Sequence, residues 1–242
     1  MRIGVIDEVD GAGDETRLAR LVEAEAQGYA AVWLGVRAGV EVSAGRSLFA
    51  LAGVAEGTRT ARIGLRSPLP ENLHPLRLAE DLAALDIASG GRLDWAPTAG
   101  ASPEELEIIL RAWRGEPFAH TGPRYAFPEL RCLPCPEQRP HPGLWLEPGS
   151  ERPEAASPDR TGCLADPGVL GPEAGSRPLA LICPISASGG AGPEDWRRDL
   201  EALRGRFDPD WILVWPEGGS GDEEQSAKTQ RLFARELPGL SA

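Results

Sequence analysis

Imidazoles and thiols, the side chains best suited to proton transfer near neutral pH or to soft metal ligation, are sparse: three histidines and four cysteines in 242 residues. His74 stands just before an apolar-periodic segment and reads as a polar residue at a helix entrance, whereas His120 and His141 fall in a proline-rich stretch. Cys132-Leu133-Pro134-Cys135 has the spacing of a redox or metal pair. No second C-x-x-C accompanies it, no helix start follows it, and Cys163 and Cys183 sit singly in apolar runs. All four therefore read as structural thiols, and no metal is expected. Two glycine loops, residues 186–192 (SASGGAG) and 218–221 (GGSG), could gather backbone amides around an anion at a helix start. Their plain reading is flexibility, and Asp222-Glu223-Glu224 directly after the second loop would repel phosphate.

These groups need elements to position them, and the chain supplies an alternating series. Apolar runs at 1–7, 30–36, 61–65, 92–95, 143–147, 161–165, 178–186 and 211–215 read as strands. Between them, apolar residues at helical spacing place helices near 15–27, 48–55, 76–85, 104–113, 193–205 and 226–237, with Asp14 and Ser102 as caps. Alternation of this kind predicts parallel strands with right-handed crossovers, wrapped by helices. The expected fold is α/β, a (β/α)8 barrel over residues 1–242 as one domain, with about 30 residues per unit and short loops. A proline-rich excursion at 115–142 reads as a hairpin, and the prolines between 148 and 177 leave little room for helix, so the barrel is expected to be irregular between its fifth and seventh strands.

The net charge of −12 argues against a nucleic-acid backbone or an anionic membrane as partner, because both select basic patches. No apolar run approaches a membrane span and no signal-peptide pattern opens the chain, so a soluble cytoplasmic protein is expected.

One stretch carries a resemblance. Thr58 to Leu65 (T-x-x-x-R-I-G-L), His74 to Asp81 (H-P-x-R-L-A-E-D) and Leu85 to Leu93 (L-D-x-x-S-G-G-R-L) stand in the order found in the bacterial luciferase-like flavin-dependent monooxygenases. Glu25-x-x-Gly28-Tyr29-x-x-x-Trp33, Gly122-x-x-Tyr125-x-Phe127 and Pro134-x-x-x-Gln138-x-Pro140 resemble further segments of that family in the same order. The likeness covers residues 15–150, and the chain looks like a shortened, divergent member.

The resemblance implies a TIM barrel of the luciferase type and an oxidoreductase of the monooxygenase kind, using O2 and reduced FMN supplied by a flavin reductase; a deazaflavin is the other cofactor it allows. It implies a homodimer or heterodimer through helices two and three, where Ala50, Ala52, Gly53, Ala79, Ala83 and Ala84 would permit close contact. By the same resemblance the cofactor phosphate would meet Glu147 and Ser150 after the fifth strand. Ser67, at the end of the third strand, is a further cofactor candidate, and a flavin ring could stack on Trp95 at the end of the fourth, while barrel interior packing accounts for most of the strand tryptophans. The Glu-His pair that active relatives carry after the second strand is here Val36-Arg37, neither of which exchanges a proton near neutral pH. The catalytic residues are thus unassigned, and the short loops predict a shallow, wet cavity, a poor host for oxygenase chemistry that needs water excluded. A non-catalytic flavin-binding protein, or a stabilising subunit of a related monooxygenase, is the competing expectation. A phosphate-ligand barrel enzyme built on the 186–192 loop is the third.

Overall fold

The computed structural model describes residues 1–9, 15–36, 44–69, 73–98, 101–170, 178–186, 192–217 and 223–236. Eight parallel strands close a barrel in the order β1 (Arg2–Val9), β2 (Ala31–Val36), β3 (Arg62–Ser67), β4 (Leu93–Pro97), β7 (Gly143–Leu146), β8 (Thr161–Ala165), β9 (Leu179–Ser186) and β10 (Trp211–Glu217), with β10 paired back to β1. Around it lie α1 (Glu15–Ala26), α2 (Ala44–Gly57), α3 (Pro75–Ala88), α4 (Pro103–Arg114), α5 (Pro193–Phe207) and α6 (Glu223–Glu236). The expected barrel is present. Helix α2 starts four residues ahead of the 48–55 expected from its apolar stripe, because Ala44-Gly45-Arg46-Ser47 has no apolar periodicity to mark it.

Among the described residues no helix lies between β7 and β9; a single 3-10 turn, Pro158–Arg160, precedes β8. Prolines at 148, 153, 158 and 167 deny that stretch a helical run, which is the irregularity expected there. The proline-rich excursion is an antiparallel hairpin, β5 (Phe118–Thr121) with β6 (Ala126–Leu130). It docks on the start of α4: Glu104 accepts from the backbone N–H groups of Arg124 and Tyr125, and the Tyr125 hydroxyl donates to Glu105 at 2.8 Å. Ser102 and Glu105 close a capping box at the same helix end, and Gly115 at φ 73° ends α4 in the left-handed region that favours glycine.

Two apolar layers follow from the alternation of side chains along parallel strands. The larger lies between sheet and helices and includes Val32, Ile63, Leu65, Leu93, Trp95, Ile109 and Trp113. The smaller fills the barrel itself with Ile6, Trp33, Ala96, Trp145, Leu164, Trp211 and Leu213. Trp33 and Trp145 lie flat over Gly64 and Gly162, their register neighbours on the next strand, where a Cβ would overlap the indole. Glycine on one strand thus makes room for tryptophan on the next.

The segment carrying the resemblance turns out to be a clasp at the amino-terminal end of the strands. Asp86 is fully buried and accepts from Gln138 N (2.9 Å), Gln138 Nε2 (2.7 Å) and Leu93 N (3.3 Å). Arg92 reaches from the start of β4 to the end of α2, donating to the carbonyls of Ala55, Thr58 and Ala61 and to Thr58 Oγ1. Arg62 grips Asp94 with Nε and Nη2 at 2.5 and 2.6 Å. Glu25, at the end of α1, accepts from the N–H groups of Arg59, Thr60 and Ala61. Burial raises its pKa, but the bonds from Ala61, Thr60 and Arg59 outweigh that and bring it to about 2.

Candidate functional site

Parallel barrels present their chemistry at the carboxyl ends of the strands, and here those ends surround a cavity of about 450 Å³. Its walls are Leu164 from β8, Ile182 and Pro184 from β9 and Trp215 from β10, with Val169 beyond β8. Its polar groups are Arg66 from β3, Glu147 just past β7 and Asp166 just past β8. The inward parity of each strand brings them there: Arg66 is two residues beyond Gly64, and Glu147 two beyond Trp145. Arg66 and Glu147 form an ion pair at 3.5 Å between β3 and β7, while Asp166 accepts from Gly168 N at 2.8 Å. Beside this mouth a smaller recess of about 120 Å³ is lined by Thr98, Leu106, Leu146, Glu147, Ser150 and Glu151.

Of the four residues the resemblance implicated, Glu147 and Ser150 meet at that recess, and Glu147 also borders the larger cavity. Trp95 and Ser67 line neither of these two cavities. Trp95 is turned outward, buried between sheet and helices with its ring edge-on to Trp113 at 5.9 Å. The tryptophan at the mouth is instead Trp215. Ser67 closes β3 through its carbonyl, which accepts from Thr98 N at 3.0 Å. Val36 is buried at the end of β2 in the outer layer. Arg37, the 187–191 part of the first glycine loop and the 218–221 loop lie outside the described residues, as do many of the strand-to-helix segments on which the expectation of a shallow, wet cavity bears.

Each histidine is engaged away from the mouth. His74 Nδ1 accepts from Leu76 N and caps α3. His120 Nε2 meets Glu104 at 3.0 Å in the hairpin junction. His141 is buried, and burial lowers its pKa; Nδ1 donates to the Pro142 carbonyl, so Nε2 is the acceptor for Ser157 N. The four cysteines are free thiols, and among the described residues no group of His, Cys, Asp and Glu could hold a metal ion. No described helix is long and apolar enough to cross a membrane.

Residues 7–105 match the family described as luciferase-like monooxygenase. The fold is a (β/α)8 barrel of the luciferase-like type. It is 32% identical over 124 residues to the uncharacterized protein y4wF of Sinorhizobium fredii, an alignment covering 44% of this chain and 36% of that protein. It is 28% identical over 144 residues to the oxygenase component of a flavin-dependent trigonelline monooxygenase from Acinetobacter baylyi, covering 51% of this chain and 40% of that one. The matched region therefore spans well under half of either curated relative. Among solved structures, monooxygenase RslO1 from Streptomyces bottropensis superposes with a TM-score of 0.76 at 20% identity, covering 98% of this chain and 99% of its own. The oxygenating constituent of 3,6-diketocamphane monooxygenase from Pseudomonas putida, in complex with FMN, superposes at 0.68 with 15% identity and 98% coverage of both chains. At those identities the likeness is one of fold.

This barrel fits the two parts of an FMN molecule unequally. A planar tricyclic ring suits the cavity between Trp215, Ile182 and Leu164, which has the size of a small-molecule site and an indole in its wall. A phosphate needs converging N–H donors or cations. The recess at Ser150, where the resemblance puts it, is lined among the described residues by the carboxylates of Glu147 and Glu151 and by no Lys or Arg. The Ser150 N–H is already bonded to the Glu147 carbonyl at 3.1 Å.

Proposed function

We propose that this chain is a flavin-dependent oxidoreductase of the luciferase-like type, working on reduced flavin handed over by a separate reductase. The observation that carries the reading is the mouth cavity itself: an aromatic and aliphatic slot, closed below by the tryptophan-filled barrel and crossed by the Arg66–Glu147 pair, on a luciferase-like barrel. In this reading Trp215, Ile182 and Leu164 orient the ring and exclude water from one of its faces. Arg66 and Glu147 supply charge and hydrogen-bonding capacity at its edge. When bound, the flavin supplies the redox chemistry. Purified protein should quench the fluorescence of added flavin at micromolar concentration, and O2 uptake with reduced flavin and a panel of aldehydes and ketones should exceed the protein-free rate. Absence of any flavin binding would remove this reading.

A second reading, a flavin-holding protein or stabilising subunit without catalysis, is favoured by one feature. No histidine lines either described cavity, and the dipeptide after β2 is Val36-Arg37. Flavin binding without substrate-dependent O2 uptake would decide for it.

The same barrel is proposed to pair with a second copy, or a related chain, through α2 and α3. On α2 the exposed residues Phe49, Ala52, Gly53 and Glu56 share one face by helical spacing, with Phe49 83% exposed. On α3, exposed Ala84, Ile87 and Ala88 stand on the outer side of the helix. A large aromatic beside small residues offers a knob and a place to receive one.

A further inference from the structure

We infer that the barrel mouth takes the flavin nucleus in an uncharged form, of the riboflavin or lumiflavin kind, in preference to a phosphate-bearing flavin such as FMN. This rests on the flavin reading above and concerns the same cavity. Among the described residues, the charged groups that an anionic tail would meet at the mouth are predominantly acidic. Among its described residues the larger cavity holds two carboxylates, Glu147 and Asp166, against one guanidinium, Arg66, which Glu147 already neutralises at 3.5 Å. Among its described residues the adjoining recess holds Glu147 and Glu151 and no cation. Its hydroxyls, Thr98 and Ser150, offer only neutral hydrogen bonds, and the Ser150 amide is engaged by the Glu147 carbonyl. The chain as a whole carries −12, so the longer-range field adds to the local one. A deazaflavin with a phosphorylated side chain meets the same obstacle. The ring loses nothing by the absence of a tail, because its contacts are to Trp215, Ile182, Leu164 and Pro184.

The test is a fluorescence-quenching titration of the full chain with lumiflavin, riboflavin and FMN at low and high salt, repeated on Glu151→Lys. Glu151 is exposed, so the variant should fold. At ~20 mM salt lumiflavin and riboflavin should bind at least about tenfold more tightly than FMN, and the gap should narrow at ~0.5 M salt as the Debye length shortens. Glu151→Lys should tighten FMN severalfold and leave lumiflavin unchanged. FMN binding as tightly as riboflavin at low salt overturns the inference while leaving the flavin reading in place. An equal effect of Glu151→Lys on both ligands also overturns it, because the discrimination would then not come from charge at the recess. Failure of all three flavins to bind overturns the inference together with the reading on which it rests.

Discussion

Trp33 on β2 and Gly64 on β3 are register partners, and the indole of the first occupies the volume a side chain on the second would need. Trp33 is 2% exposed and its neighbours in the barrel are themselves packed, so it has nowhere to retreat. Gly64→Ala should therefore destabilise the barrel by about 1–3 kcal/mol through overpacking, read as a lowered urea midpoint. A variant as stable as the parent would show that the indole can shift.

Asp86 joins α3, the start of β4 and the chain after the hairpin through three accepted hydrogen bonds. Asp86→Ala strands buried donors of Gln138 and Leu93, and a loss of about 3 kcal/mol or more is expected. Flavin quenching, normalised to folded protein, should be unchanged, because the clasp lies at the opposite end of the strands from the mouth.

Glu25 makes stability depend on acid. Its folded pKa of about 2 lies below the ordinary 4.5, so its contribution is fully present above about pH 4.5 and is lost as pH falls towards 2. Glu25→Gln should cost about 1–2 kcal/mol at pH 7 after allowance for solvent screening, and the difference from the parent should shrink steadily between pH 4.5 and 2 in chemical denaturation.

Cys132 and Cys183 should resist alkylation in the folded chain. Burial pushes the Cys132 thiol up to about 11, with Glu80 adding to it, and the Cys183 thiol up to about 12, with Asp166 adding to it. The thiolate is the nucleophile, so at pH 7.5 neither should label with iodoacetamide on a timescale that fully modifies the denatured protein.

Phe49 is the sharpest test of pairing through α2 and α3. Phe49→Asp should move the sedimenting species from dimer to monomer without lowering the thermal midpoint of the isolated fold, since the parent side chain is 83% exposed. A parent that sediments as a monomer at all concentrations would end that proposal.

Much of the barrel could be read from the chain because its strands are short, apolar and separated by helical stripes. Even Thr161–Ala165 stands out between prolines. What the sequence could not convey was which way each strand residue points. Strands covered on both faces are apolar throughout, so a run such as Leu93–Pro97 does not separate inward from outward, and Trp95 could be taken for a mouth residue. A usable signal was the neighbouring charge: Asp94 must find a partner, and Arg62 on β3 has the same parity, which turns Trp95 outward. The same parity rule would have paired Arg66 with Glu147. The physical role of the Asp86 and Arg92 signature was hidden because their partners, Gln138 and Thr58, are 52 and 34 residues away.

Of the seven tryptophans, Trp215 is the one that borders the mouth cavity, whereas Trp33, Trp145 and Trp211 are enclosed within the barrel. The protein thereby carries its own optical gauge of occupancy. Light emitted by Trp215 should be lost when a planar guest settles on it, and Trp215→Phe should leave a chain that still folds but loses less of its ultraviolet emission over the same titration.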